Sequence, residues 1–154
     1  MQVSERVLKW AMRLYPPLLL QRIWVQKFVN GFTGVQVKIN KSLFNINYNR
    51  SIFGGSIFSA ADPFYPILFH QVLRKRGYKP LIWVKRSEID FIKPGNKSLY
   101  FRISITEHDV AEACSALDAG NKFVKTYPIE IFDIEGQLCS LVHTEIYIKA
   151  LQKR

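Results

Sequence analysis

The feature that most restricts the fold is one long segment of helical periodicity between two groups of strand-like segments. After Gly54-Gly55, apolar residues recur on one side from position 57 to 72 at the spacing of a helix. Residues 74–76 are all basic, which suits a C-terminal helical turn, and Gly77 suits the position that follows it. A single long helix among strands buries its apolar side most readily against a sheet, so an α+β architecture is predicted.

The remaining patterns predict two further helices and six strands. Helical spacing in residues 3–15 predicts a helix that Pro16-Pro17 ends. Asp109, with Glu112 three residues later, resembles a capping box and predicts a short helix over 110–118. Strands are predicted at 23–25, 35–39, 81–92, 99–106, 122–133 and 137–149, with an extended stretch at 43–48. The whole chain, 1–154, is interpreted as one domain with a helical extension at 1–17.

The charge is distributed unevenly along the chain. Residues 1–97 contain 16 Lys and Arg against 4 Asp and Glu, whereas residues 98–154 contain 6 against 8. This asymmetry predicts an anionic partner, which a nucleotide-bearing ligand, a nucleic acid or a membrane surface would satisfy. No nucleic-acid motif accompanies the basic residues, so no nucleic acid is expected. No signal peptide or bilayer-spanning run is found, and Cys114 and Cys139 form no CxxC pair, so a cytoplasmic protein is expected.

Asp62 is the strongest candidate for chemistry. It is the only carboxylate between Arg6 and Ser87, a stretch with 14 Lys and Arg. It follows Gly55 by seven residues, so the two share a helix face about 10 Å apart along the axis. Partial burial would raise the pKa of Asp62, which suits a general base or nucleophile. The alternative is a buried aspartate held by nearby donors such as Ser59.

Prolines and glycines mark the two ends of this candidate site. Pro63 and Pro66 cannot donate backbone hydrogen bonds, so the helix is predicted to kink around Asp62. At the helix N-terminus, free N–H groups at Gly54-Gly55 could polarise a carbonyl oxygen. His70, His108 and His143 show no metal-ligand spacing, and no metal is predicted.

Taken in order, these motifs resemble the hotdog-fold acyl-CoA thioesterases. Residues 47–63 read NYNRSIFGGSIFSAADP; in that superfamily an Asn leads into His-Gly-Gly and an Asp follows on the central helix. The sequence is most similar to a bacterial hotdog-like family of unknown function typified by Phe-Gly-Gly-Ser and Ala-Asp-Pro. The resemblance covers nearly the whole chain. It implies a long central helix wrapped by a mostly antiparallel β-sheet, with an extra N-terminal helix.

The resemblance also implies roles for individual residues. Asp62 falls at the position of the acidic base or nucleophile, and Gly55 at that of the N–H that polarises the thioester carbonyl. Asn47 falls near a supporting polar residue, with Asn49 as an alternative. Phe53 replaces the usual His before Gly54. Basic residues clustered around one strand and turn are expected to meet the phosphates of CoA: Lys85, Arg86, Lys93 and Lys97.

The function expected from these observations is hydrolysis of an acyl-CoA or related thioester, with no cofactor beyond the CoA portion of the substrate. Because Gly55 and Asp62 of one chain are too far apart to act on one carbon, the resemblance implies a homodimer, or a dimer of dimers, with shared sites. Phe53 favours a noncatalytic acyl-ligand protein as an alternative. A basic membrane-surface or nucleic-acid binder is a weaker one, since the N-terminal helix is expected to pack over the open sheet.

Overall fold

The computed structural model describes residues 3–153. Residues 1, 2 and 154 of the predicted domain lie outside the described residues. Six strands form one antiparallel sheet in the order β1–β2–β4–β5–β6–β3. The strands are β1 (Ile23–Val29), β2 (Gly34–Ile39), β3 (Tyr78–Phe91), β4 (Leu99–Ser104), β5 (Phe123–Asp133) and β6 (Leu138–Lys153). The predicted strands are all present, and β1, β2, β3 and β6 extend beyond their predicted bounds.

Five helices accompany the sheet in the part of the chain that the structure describes. They are α1 (Glu5–Leu14), α2 (Pro16–Leu20), α3 (Gly54–Ala61), α4 (Phe64–Lys75) and α5 (Glu107–Asp118). Together α3 and α4 make up the predicted long helix, and Gly77, with φ 90°, follows its end as expected. Within residues 3–153, no helix has the length and apolar character that a bilayer crossing requires.

The core lies between α3–α4 and the sheet. Buried side chains alternate with exposed ones along β4 and β5, as expected for strands with one covered face. From α4, Phe64, Leu68 and Phe69 are completely buried. Burial of each such side chain contributes about 1.5–3 kcal/mol. The apolar periodicity of the segment is therefore explained by this packing.

The prediction that Pro16-Pro17 ends the first helix is confirmed, and Pro16 also begins α2, because proline is well accommodated at the first positions of a helix. Two other local predictions were wrong. The stretch at 43–48 is a series of turns, not an extended strand. Helix α5 begins one turn earlier than predicted, because Thr106 is the N-cap and Asp109 is the third residue of the capping box.

The two edges of the sheet differ. Strand β1 is covered by α1, whose Arg13 donates from Nε to the carbonyl oxygen of Val25 at 2.8 Å. Strand β3 has 14 residues and pairs only with β6, so its other edge is unpaired among the described residues. It also exposes Leu81, Trp83 and Phe91. A long, partly apolar free edge of this kind favours pairing with another strand.

Candidate active site at the break between α3 and α4

The long helix is interrupted at the predicted acid. Helix α3 ends at Ala61, and the N–H of Asp62 still donates to the carbonyl oxygen of Phe58 at 3.2 Å. Pro63 has no N–H to continue the series, and the regular pattern resumes in α4, where Ile67 donates to the Pro63 carbonyl at 3.0 Å. The predicted kink is therefore confirmed, and Asp62 lies at it.

The carboxylate of Asp62 has no hydrogen-bond donor among the side chains and backbone groups that the structure describes. Ser59, considered above as a structural partner, makes no such bond. Asp62 is exposed to solvent, yet the surrounding protein atoms remove part of its hydration and raise the pKa of the carboxyl. The direction of this shift agrees with the sequence-based prediction. An unpaired acid with a raised pKa is suited to accept a proton.

Asp62 opens into a cavity of about 360 Å³. One wall comes from α3 and the helix break, and the other from the N-terminal extension. The lining residues are Met12, Tyr15, Pro17, Leu18, Gln21, Phe58, Ser59, Asp62 and Pro63. The sequence did not predict the wall from the N-terminal extension. The amphipathic pattern of residues 5–20 indicates a helix but not the surface against which that helix packs.

The N-terminus of α3 presents free backbone N–H groups. Phe53 is the N-cap and gives no side-chain cap, while its carbonyl accepts hydrogen bonds from Ser56 at 2.9 Å and Ile57 at 3.2 Å. Within the described residues, the N–H groups of Gly54 and Gly55 have no acceptor. Such groups at the positive end of a helix dipole can bind the oxygen of a polarised carbonyl.

Both glycines lie against aromatic rings. A Cβ at Gly55 would lie 2.3 Å from Cε1 of Phe53, and one at Gly54 would lie 2.8 Å from Cζ of Phe91. Two aromatic rings therefore approach the helix N-terminus, and a side chain at either glycine would require the neighbouring ring to move. Both rings are more than half exposed, so each has room to move.

Asn47 is largely committed to its own loop. Its Oδ1 accepts from the N–H of Asn49 at 3.0 Å and of Ser51 at 3.1 Å, and its Nδ2 donates to Oγ of Ser51 at 2.8 Å. Asn49 is exposed. Asn47 and Gly54 line a cavity of about 270 Å³ with Phe91 and Lys93, separate from the cavity at Asp62. A single chain therefore does not bring Asn47 and Asp62 into one cavity.

Three of the four basic residues expected at CoA phosphates are paired with carboxylates. Lys85 lies 3.3 Å from Glu145 and Lys97 lies 2.6 Å from Glu135, and Arg86 pairs with Glu88. Lys93 instead donates to Oε1 of Gln137 at 2.8 Å. Exposed pairs of this kind are weak and can exchange partners. Only Lys93 lines the cavity that includes Gly54.

A larger cavity lies elsewhere. It measures about 900 Å³, lies beside β4 and β5, and includes Tyr100, Arg102, Glu130 and Phe132 in its lining. None of the predicted site residues lines it. Because size is its only distinguishing feature, the candidate active site remains the one with the unpaired Asp62 carboxylate and the free N–H groups of α3. Among residues 3–153, no group of His, Cys, Asp and Glu side chains could hold a metal ion.

The sequence matches the family model described as Domain of unknown function (DUF4442) over residues 4–148. A search of curated proteins finds no match to this sequence.

Solved structures similar to this chain share its fold at low sequence identity. A probable thioesterase from Pseudomonas aeruginosa superposes with a TM-score of 0.85 at 12% identity, covering 97% of this chain and 98% of that one. A thioesterase from Haemophilus influenzae gives 0.70 at 11% identity, covering 100% and 96%. The E. coli PaaI protein of the phenylacetic acid degradation operon gives 0.59 at 18%, covering 89% and 93%. The chain has the hotdog fold of these thioesterase-like proteins, and it belongs to the DUF4442 family.

Proposed function

We propose that this protein is an acyl-CoA thioesterase in which Asp62 is the general base or nucleophile. The observation that carries the proposal is the state of Asp62: an unpaired carboxyl with a raised pKa, at a helix break, in a small cavity with a mainly apolar wall. The thioesterases named above, which share the fold, support the same reaction class. The apolar wall suits the acyl part of the substrate.

In the general-base form of the reaction, Asp62 accepts a proton from a water molecule whose oxygen attacks the thioester carbon. The carbonyl oxygen gains negative charge, which the free N–H of Gly55 stabilises at the helix N-terminus. The carbon–sulfur bond then breaks and the thiolate of CoA leaves, taking the proton from Asp62. The products are a carboxylic acid and free CoA. In the nucleophilic form, Asp62 attacks the carbonyl carbon itself, the carbon–sulfur bond breaks and the thiolate of CoA leaves. Water then hydrolyses the mixed anhydride, which returns the Asp62 carboxylate and the carboxylic acid.

The site is proposed to form between two protomers. Gly55 and Asp62 of one chain are about 10 Å apart along the helix, whereas reacting groups must approach within about 3–3.5 Å. Pairing of two β3 edges would extend the sheet across a dimer and bury Leu81, Trp83 and Phe91. The helix N-terminus of one protomer, with Gly55 and Asn47, would then meet Asp62 of its partner.

The test is a panel of acyl-CoAs of increasing chain length, with release of free thiol as the measurement. We expect Asp62→Asn to lower kcat by about 10²–10⁴, the usual contribution of a general acid–base group. Glu130→Gln, which changes an exposed acid on β5, is the matched control and should hydrolyse as the wild type does. Equal activity of wild type and Asp62→Asn on every hydrolysed substrate would exclude this role.

A noncatalytic acyl-ligand protein is the second candidate, favoured by Phe53. Its ring occupies the space next to Gly55 where the resemblance places a histidine, so the polar group is lost and the glycine is covered. Saturable binding of acyl-CoA in calorimetry, with no thiol release from any member of the panel, would support this candidate over the enzyme.

A further inference from the structure

One side of α1 is apolar and open to solvent. Val7, Trp10 and Leu14 follow one another at intervals of three and four residues, so they lie on one face of the helix. Their exposed fractions are 59%, 46% and 63%. Beyond the end of α1, Tyr15 and Leu20 are also exposed. These five residues form what we call the N-terminal apolar surface.

This surface belongs to a firmly attached helix. The carboxylate of Glu5 accepts hydrogen bonds from the N–H groups of Gly31, at 2.6 Å, and Phe32, at 3.1 Å. Leu8 and Met12, on the other side of α1, pack against the core. The expected packing of the N-terminal helix on the protein is confirmed. Its apolar face is nevertheless left uncovered, so packing alone does not explain why these residues are apolar.

The charges beside this surface are positive. Arg6 and Lys9 have no ion-pair partner among the described residues, and Glu5, the only acid in α1, is turned toward the protein. Arg13 lies between the rings of Trp10 and Trp24, 4.7 and 4.4 Å from their centroids. An apolar strip with aromatic residues and flanking cations is the composition that favours an anionic lipid interface.

A neighbouring turn extends the same composition. The amide of Asn45 donates to the carbonyl of Gln21 at 2.8 Å, which joins the turn 42–45 to the end of α2. That turn carries Leu43 and Phe44, whose exposed fractions are 88% and 78%. Lys41 precedes them. The Asn45–Gln21 hydrogen bond thus brings this turn beside the end of α2, where Leu20 is exposed.

We propose that the N-terminal apolar surface, together with this turn, docks on an anionic phospholipid bilayer. Apolar side chains would enter the headgroup region while Arg6, Lys9 and Lys41 meet lipid phosphates. A nucleic acid would bind the cations but would leave Val7, Leu14 and Leu20 exposed. A bilayer would contact both the cations and the apolar side chains. Tyr15 belongs both to this surface and to the cavity at Asp62, which places that cavity beside the bilayer.

The test measures sedimentation of the full chain with vesicles of phosphatidylcholine alone and of phosphatidylcholine mixed with phosphatidylglycerol. We expect binding to the mixed vesicles that weakens as salt is added. Val7→Ser/Leu14→Ser and Arg6→Gln/Lys9→Gln should each lower the partition coefficient about tenfold or more. The matched controls, Val124→Ser/Ile134→Ser and Arg102→Gln/Lys149→Gln, change exposed residues elsewhere and should bind as the wild type does.

Thermal unfolding of each variant verifies that it is folded. Absence of wild-type binding to the mixed vesicles would overturn the proposal, as would equal loss in variants and controls. A change in oligomeric size on Val7→Ser/Leu14→Ser would also overturn it, because the surface would then be an interface between copies of the chain. Vesicle binding is measured without substrate, so failure of the thioesterase proposal would leave this result unaffected.

Discussion

The aromatic ring of Phe53 lies against Gly55, with Cε1 2.3 Å from the point where a Cβ of residue 55 would be. Gly55 carries one of the two free N–H groups at the start of α3. The Phe53 side chain is itself 55% exposed, so it can rotate away without opening the core. This contact connects the one departure from the thioesterase motif directly to the proposed carbonyl-binding group.

Replacing Phe53 by histidine should therefore raise hydrolysis. A histidine there supplies a polar group beside the carbonyl and a smaller ring over Gly55. We expect kcat/KM to rise roughly tenfold, a modest part of the 10²–10³ that an oxyanion donor typically contributes. Phe53→Leu is the control, since it reduces the ring without adding a donor. A gain in Phe53→Leu equal to that in Phe53→His would show that steric relief, not polarity, limits the reaction.

The shared site predicts complementation between two inactive chains. Asp62→Asn removes the base, and Gly55→Val places a branched side chain beside the N–H of the other half-site, in the space that the Phe53 ring now occupies. A heterodimer of the two variants retains one intact site, so it should recover up to about half of the wild-type activity per dimer. Differently tagged chains, purified as the heterodimer, are assayed for thiol release. The shared site is rejected if proven heterodimers stay inactive while each chain remains folded; a monomeric wild type would reject it too.

The raised pKa of Asp62 predicts a pH-dependent cost in stability. An unfolded aspartate has a pKa of about 3.9, and the folded value is higher because burial disfavours the charge. The folded state therefore binds the proton more tightly. Stability falls as pH rises from about 3.9 through the folded pKa, and the full cost is present above it.

Asp62→Asn removes this cost, so the variant should melt at a higher temperature than the wild type at neutral pH. The difference should shrink as pH is lowered toward about 4. Glu130→Gln controls for the loss of one negative charge from a strongly basic chain. A pH-independent difference between Asp62→Asn and wild type would contradict this account of the Asp62 carboxyl.

Asp109 should show the opposite dependence. It is buried, which alone would raise its pKa, but bonds from Thr106, Lys125 and Tyr127 hold the pKa well below its usual range. Its contribution is present above the unfolded pKa of about 3.9 and is lost as pH falls below it. Asp109→Asn should lower the free energy of unfolding by about 2–4 kcal/mol at neutral pH. Urea titrations from pH 7 to pH 3 measure this free energy of unfolding. Glu112 also contacts Lys125 but is more exposed, so Glu112→Gln should lower the free energy of unfolding by less.

Much of the secondary structure follows from local patterns in the sequence. Alternation in β4, β5 and β6 and the apolar periodicity of α4 are repeated over many residues, so their meaning does not depend on distant contacts. The kink at Asp62 was also predictable, because Pro63 has no N–H in any environment and therefore interrupts the hydrogen bonds of the helix. The errors at 43–48 and at the start of α5 fall where short-range signals compete and several turn geometries are available.

Some features of the candidate site are also visible in the sequence, and others are visible only in the structure. The isolation of Asp62 among basic residues is visible in the sequence, and so is its seven-residue distance from Gly55. The sequence does not show that Met12 and Tyr15 line the cavity at Asp62, nor that the Asn47 amide is committed to Ser51.

The sequence by itself therefore determined the type of most elements, the helix break and the identity of the exceptional acid, because those depend on backbone geometry and on neighbours within a few residues. Only the tertiary structure decided which surfaces meet. The attachment of α1 through Glu5 and Arg13, the cover of Phe53 over Gly55 and the free edge of β3 all depend on residues far apart in sequence or on the directions of side chains. Such contacts form only when the packed core fixes the elements in space, and no local pattern encodes them.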